Sequence, residues 1–576
     1  MIRPIAALAS AALIAFTPFA AAQEAAIYSS MDAVHPVWAK EAMVSVQEAV
    51  AADIGLQVLK DGGNAVDAGV AVALALAVTL PRAGNLGGGG FMLVHDAKSG
   101  ETKAIDYREM APASATRDMY LDADGNADSK LSRFHGLAVG VPGTVAGMQL
   151  ALDTYGTMTL AQAAEPAIRL AQDGITVTAD LADSLKGLEK RLKTWPASAA
   201  IFYKPDGSFY EPGDVIRQPD LAATLKKIAS DGPDGFYTGD VAEKIAASVR
   251  DAGGSMSIED LAGYKAVLRE PVSGSYRGYE IVSMPPPSSG GTHIIEILNV
   301  MEGYPIGFLG HNSSETIHLM AEAMKRAYAD RSEYLGDPDF ADVPVKALTS
   351  KAYAAKIRDG ISLNRATPSE TIKPGKLAPY ESDQTTHFSI VDQYGNAVSN
   401  TYTLNFSYGS GMTAKGTGVL LNNEMDDFSA KPGVPNAYGL IGGDANAVEP
   451  GKRPLSSMSP TIVLKDGKPY LVTGSPGGSR IITTTLQLIS NMIDHSMNVA
   501  EATNAARIHH QWLPDEIRVE EDGLSRDTVA ALEAKGHTIA VKSVMGSTQS
   551  IHVDAGKGLL LGASDPRRTG SATVGY

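Results

Sequence analysis

Hydrophobic and polar positions change their period several times along the chain, and each change marks an element. Over residues 385–391, side chains of unlike polarity alternate among β-branched, aromatic and small residues, and residues 401–405 read the same way. Between them lies Asp392-Gln393-Tyr394-Gly395-Asn396, a turn cluster with a glycine for positive φ, so the stretch predicts a β-hairpin. With the turn centred on Tyr394, Thr385 falls opposite, or one residue from opposite, Thr403. Opposed Cβ atoms of an antiparallel pair lie about 4.5–5.5 Å apart, which brings the two hydroxyls within reach of one another. Facing threonines at a hairpin end are, on their own, ordinary β-formers.

A period near 3.6 predicts an amphipathic helix over 48–60, closed by Asp61-Gly62-Gly63-Asn64. Further helices are predicted within 149–185 and over 292–302, 315–328, 481–492, 499–507 and 528–535. Residues 65–80 are almost wholly apolar. They are too short for a membrane span and carry Asp67, so they read as a buried helix. Strands are predicted over 91–94, 461–464, 471–473 and 550–553. The glycine run over 84–90 lacks a Gly-Lys-Ser/Thr ending and leads into a strand, so it serves close backbone packing rather than a phosphate. Residues 366–383, with Pro368, Pro374 and Pro379, predict an exposed linker, and 432–443 a loop. The part after Thr385 is strand-rich with intervening helices, an α/β unit of sandwich type.

Composition narrows the function. The 576 residues are 44% hydrophobic and 20% charged, enough for two average domains or one large one. Sixty-five acidic against 49 basic side chains give a net charge of −16, which argues against nucleic acid and anionic membrane as partners. The absence of cysteine removes disulfides, thiolate nucleophiles and cysteine-based metal sites. Arg3, the apolar residues 5–19 and Ala20-Ala21-Ala22 before Gln23 predict a cleaved signal peptide over 1–22 and an exported chain. Such a chain relies on burial alone for stability.

The stretch over 385–409, TTHFSIVDQYGNAVSNTYTLNFSYG, resembles the signature of the γ-glutamyltranspeptidase family. The match runs through His387, Gly395-Asn396, the Thr401/Thr403 pair, Asn405 and Tyr408-Gly409. The resemblance implies an N-terminal-nucleophile hydrolase fold, a four-layer αββα sandwich built from two processed subunits. It implies a cut between Gln384 and Thr385, a large subunit over 23–384, a small catalytic subunit over 385–576, and Thr385 as nucleophile. A newly freed threonine α-amine has an ordinary pKa of about 7.7–8.0 and can serve as the base its own hydroxyl needs. Thr403 would orient that hydroxyl. Gly477-Gly478, between a strand and a helix, would offer backbone N–H groups to an oxyanion, a role compatible with the plain reading of a tight turn.

The family pattern assigns Arg108, Ser456 and Ser457 to the α-carboxylate of a γ-glutamyl group, and Asn405, Glu424 and Asp427 to its α-ammonium. An arginine fork suits a carboxylate, although a lone arginine is more often a surface cation. The 432–443 loop with Tyr438 resembles the lid that covers the pocket in some members. Glutathione and related γ-glutamyl compounds are then the expected donors, and water, amino acids or peptides the acceptors, in the periplasm. No cofactor, metal, nucleic acid or membrane is expected. His509-His510, read as helical, would point to different sides. Asp426-Asp427 and Asp337/Asp339 fit no calcium loop. One rival is a glutaryl-type β-lactam acylase on the same scaffold. Arg108, Asn405 and Asp427 speak against it, because a plain diacid has no ammonium. The other rival is a non-catalytic periplasmic γ-glutamyl-binding protein, which would remain uncut.

Overall fold

Strand alternation around the predicted hairpin organises the molecule. The computed structural model describes residues 32–372, 385–431 and 442–576. Strand Thr386–Val391 pairs antiparallel with Ala397–Thr403, with Thr386 opposite Tyr402 and Val391 opposite Ala397. Extending that register one step places Thr385 opposite Thr403, as the turn centred on Tyr394 predicts. Asp392 builds the turn by accepting hydrogen bonds from the Tyr394 and Asn396 amides, and Gly395 supplies φ +86°. The other Asp392 oxygen accepts from the Ala65 amide, so an acid sits at the N-terminus of the helix behind the sheet.

The hairpin lies within a seven-stranded antiparallel sheet. Met43–Val46 and then Ala572–Gly575 flank it on one side; Gly89–Asp96, Glu101–Tyr107 and Val267–Arg269 follow on the other. A second seven-stranded sheet contains Thr461–Lys465, Lys468–Thr473, Gln549–Asp554 and Leu559–Ser564 from the downstream part. Val37–Ala39, Val272–Tyr276 and Tyr279–Ser283 come from the upstream part. Successive side chains point to opposite faces, so Phe388 and Ile390 pack outward against the apolar helix Ala65–Thr79. Phe91, Leu93, Val391 and Ala397 pack inward against Val282, Ile462, Val472 and Ile551 of the second sheet. Helices Gly290–Met301 and Arg480–Ile493 cover the far side of that second sheet. The result is the four-layer αββα sandwich. Both sheets draw strands from either side of residue 385, so a cut there leaves two pieces held by β ladders and a common core.

The acid within the apolar helix is accounted for. Asp67 completes a capping box with Asn64 and accepts hydrogen bonds from the Thr157 hydroxyl and the Thr157 and Met158 amides. The glycine run packs as predicted. A Cβ on Gly90 would fall 2.4 Å from Tyr402 Cβ, and one on Gly88 2.1 Å from the Thr403 carbonyl oxygen. Larger residues there would push the Thr403 strand out of place.

Three expectations change. The 315–328 helix runs over Ser314–Tyr334. His509 lies on a short strand, Ile508–His509, rather than on a helix, and hydrogen bonds Thr483 and Gln511. The stretch read as an exposed linker from residue 366 is packed down in its first part. Ser369 is buried, its carbonyl accepts from the Trp512 indole, and Lys325 donates to the Thr367 carbonyl. Proline frequency alone does not show that downstream partners wait for this segment. Residues 373–384 lie outside the described residues. Among the described residues, no helix is long and apolar enough to cross a membrane.

Candidate active site

The same alternation that builds the core aims the chemistry. Thr385, His387 and Ser389 share one face of their strand, and Ser399, Thr401 and Thr403 share the matching face of the next; both look toward the second sheet. The inter-sheet layer is polar at this end. Ser389 donates to the Gln549 carbonyl and Ser399 to the Thr473 carbonyl. His387 is held between Thr401 and Ser389, at 2.8 and 3.1 Å. Burial lowers its pKa to about 3, so it is a neutral structural bridge and not a base for Thr385.

The Thr385 hydroxyl lies 3.4 Å from that of Thr403. Thr403 Oγ1 also accepts from the Asn405 amide at 2.9 Å, where the chain leaves the strand through a left-handed Asn405 at φ +73°. The Asn405 side chain donates to the Asn423 carbonyl. This local crossing brings the Glu424–Asp427 turn, a single helical turn full of acids, over the hairpin end.

Arg108 enters from the end of strand Glu101–Tyr107. It is fully buried and ion-paired with both Glu424 and Asp427, with Glu109 3.7 Å away. Its Nε donates to the Pro454 carbonyl, and its own carbonyl accepts from Tyr264. Burial works against the guanidinium charge, but Glu424, Asp427 and Glu109 together outweigh it and hold Arg108 above its ordinary range. Burial pushes the Glu424 carboxyl well up, against the pull of Arg108, and raises Asp427 in the same sense. Burial lifts Glu109 to about 7. Three carboxyls face one cation, so the group resists full ionisation.

Opposite this cluster, Ser456 is fixed by backbone pairing with Pro287 and Ser289, and its hydroxyl accepts from the Met458 amide. Ser457 accepts from Arg331 at 3.3 Å, and Arg331 also donates to Ser289 at 2.9 Å. Gly477 and Gly478, at φ +134° and +56°, turn the chain from strand Lys468–Thr473 into helix Arg480–Ile493. That helix start has no side-chain cap; its Arg480 and Ile481 amides donate to the Gly477 and Gly478 carbonyls, and the positive end of the dipole lies at this turn.

One cleft therefore gathers Thr385, Thr403, Asn405, Gly478, Ser456 and Ser457. Arg108, Glu424 and Asp427 form its charged wall. Gly477 is one residue away; Gln384 and Tyr438 lie outside the described residues. Sequence reasoning missed Arg331, which also lines the cleft and whose pKa burial lowers to about 10. It sits on helix Ser314–Tyr334, outside the 385–409 signature, and no local signal singles it out. Glu109, next to Arg108 in the chain, is given no role by the sequence pattern.

Other polar clusters lie elsewhere. His318, Glu322 and His537 could each offer a ligand atom to a metal. Glu322 already bonds Arg326 and the Thr367 amide, and the two imidazoles bond each other at 2.7 Å. Asp339 pairs with Arg269, and Asp426 with Arg133 and Ser132.

Comparison with known proteins agrees with the geometry. Residues 51–575 match the family model described as gamma-glutamyltranspeptidase. The chain is 61% identical over 546 residues to the glutathione hydrolase proenzyme of Escherichia coli (strain K12), covering 95% of this chain and 93% of the relative. It is 38% identical over 544 residues to the acylase ACY 1 proenzyme of Pseudomonas sp. (strain SE83), covering 93% and 94%. The crystal structure of cephalosporin acylase from Bacillus halodurans superimposes with a TM-score of 0.84 at 30% identity, covering 98% of this chain and 99% of that one. Acylases are thus relatives, at lower identity than the glutathione hydrolase, and the chain belongs to the γ-glutamyltranspeptidase family.

Proposed function

We propose that the protein is a self-processing γ-glutamyltransferase and glutathione hydrolase whose nucleophile is Thr385. The observation that carries this reading is the meeting of two threonine hydroxyls, 3.4 Å apart, with a buried Arg108–Glu424–Asp427 cluster in one cleft. Maturation begins when Thr385 Oγ1 attacks the Gln384 carbonyl. An N→O acyl shift gives an ester, and water hydrolyses it to a Gln384 carboxylate and a free Thr385 α-amine. The products would be subunits over 23–384 and 385–576, the former after loss of residues 1–22 on export to the periplasm.

In the mature site the α-amine takes the hydroxyl proton while Oγ1 attacks the γ-carbonyl of the donor. Amides of Gly477 and Gly478 face the developing oxyanion. The amine product leaves with a proton, and the Thr385 γ-glutamyl ester passes to water or to an amino acid or peptide amine. Thr403 keeps the hydroxyl aimed, its Oγ1 accepting from both the Asn405 amide and the Thr385 hydroxyl.

Head-group selection follows from the charge cluster. A γ-glutamyl group carries one anion and one cation. Its carboxylate can replace both acids on Arg108, with Ser456 and Ser457 as further donors, while its ammonium takes the released Glu424 and Asp427. The exchange preserves every charge pair. A glutaryl group brings the anion only and would strand two acids, which favours the transferase over the acylase reading. N-terminal sequencing of purified protein, with turnover of a γ-glutamyl anilide, tests the proposal. A single uncut chain that binds but does not turn over would support the binding-protein rival instead.

A further inference from the structure

A second charged cavity, of about 400 Å³, is lined in part by Arg82, Arg191, Arg568, Asp180 and Ser407. Arg82 is 4% exposed; its Nη1 binds Asp180 at 2.6 Å, while its Nη2 is buried without a hydrogen-bond partner. A buried guanidinium N–H left unmatched costs free energy and is rare unless something else completes it. Arg191 donates to the Ser407 carbonyl and lies over the Phe406 ring. Arg568 is half-buried, and burial together with the nearby Arg82 charge holds its pKa below the ordinary range. With Asp180 and Asp183 the cavity still carries an excess of one positive charge. Anions are what such a cavity accepts.

Its position matters. Ser407 lines this cavity and Asn405 lines the cleft, two residues apart, which is at most about 7 Å of chain. Arg568 precedes strand Ala572–Gly575. Ala572 is level with Val46, and Val46 with Phe388, so Arg568 leaves the sheet at the Thr385 end. The Tyr408 amide donates to the Arg82 carbonyl, which ties the third arginine to the same loop.

We propose that Arg82, Arg191 and Arg568 form a carboxylate subsite for the peptide on the amine side of the scissile bond. This rests on the transferase reading above. In glutathione, the scissile nitrogen and the terminal carboxylate are separated by a dipeptide, a span of about 7 Å, of the same order as the two residues of chain that join Asn405 to Ser407. The same subsite takes the carboxylate of a dipeptide acceptor during transfer. It selects a free C-terminus two residues beyond the new bond, which the γ-glutamyl cluster cannot read.

The test uses the processed enzyme with a γ-glutamyl anilide as donor and compares glycylglycine with glycylglycinamide as acceptor, each measured as kcat/KM. Hydrolysis of glutathione and of its C-terminal amide gives a second ratio. We expect the free acid to exceed the amide by about tenfold to a hundredfold in the native protein, the range for one hydrogen-bonded charge. Arg568→Gln and Arg82→Gln should pull both ratios toward one. Ratios are insensitive to the fraction of folded enzyme, and the native comparison needs no variant. Acid and amide of equal efficiency in the native enzyme would overturn the subsite, as would variants that leave the preference intact. Failure of anilide hydrolysis itself would instead overturn the transferase reading.

Discussion

Replacing Arg108 with glutamine tests the charge cluster most directly. Arg108 is 0% exposed, Glu424 is buried with it, and the Asp427 side chain is 12% exposed. Glutamine keeps part of the volume and a donor but no charge. Removing one partner of a buried pair typically costs about 3–5 kcal/mol, because the other charge stays behind. Here three carboxyls stay behind, and protonation is their relief. Burial already lifts Glu109 to about 7 and raises Glu424 well above the ordinary carboxylate range. A carboxyl with a raised folded pKa favours the folded state at pH below its unfolded value. That stability is lost as pH rises through the folded value. Without Arg108 the folded values rise further. Arg108→Gln should therefore be modestly destabilised at pH 5 and much more so at pH 8, seen as a melting-temperature gap from the parent that widens across this range. Activity should fall more sharply than stability. Losing a desolvated charge partner for the substrate carboxylate costs about 2–5 kcal/mol, or roughly 30-fold to several thousand-fold in kcat/KM for a γ-glutamyl anilide. Arg108→Lys should recover the pH profile of stability better than the activity, since a point charge lacks the fork. A melting gap that is constant from pH 5 to pH 8, or activity retained in Arg108→Gln, would refute the reasoning.

Further outcomes follow from the same geometry. Thr385→Ala should give one uncut chain with no turnover on a denaturing gel, whereas Thr385→Ser should cut slowly; self-cleavage of the alanine variant at that bond would remove the autocatalytic step. Gly478→Val forces a β-branched residue to φ +56° and disturbs an oxyanion donor, so kcat should fall by an amount near the roughly 2.7–4 kcal/mol of one such donor. Unchanged turnover in a folded Gly478→Val enzyme would take the glycine pair out of the mechanism. Asp427→Asn should lose more kcat/KM on a γ-glutamyl anilide than on a glutaryl anilide; equal losses would make Asp427 a support for the fold.

The hairpin was legible because its information is local. A turn of five residues fixes the register, and a register fixes which hydroxyls meet, so Thr385 and Thr403 could be paired from the sequence. The apolar helix Ala65–Thr79 was legible from its composition, whereas the cap that Asn64 and Asp67 make together shows only in the structure. What stayed hidden depends on partners far along the chain. Arg331 reaches Ser457 across 126 positions, and Trp512 holds Ser369 across 143. The mutual pairing of Arg108, Glu424 and Asp427 was hidden for a different reason. Each residue was assigned by the charge it offers a substrate, and the charges they offer one another come from burial within a common cleft.

That pairing also bears on why the uncut chain holds its shape. Both sheets take strands from either side of residue 385, so the framework around Thr385 does not wait for the cut. Arg108 comes from the upstream part, whereas Glu424 and Asp427 come from the downstream part. A pair across the two proposed subunits lowers the cost of desolvating each charge before a ligand arrives. The hydroxyl that would cut the chain and the hydroxyl that would attack the donor belong to one residue, held 3.4 Å from Thr403 before any α-amine exists. On the proposed reading, processing needs no new fold: freeing the amine would add a base to a site whose other groups are already in position, and the strands that flank it would keep the severed pieces in register.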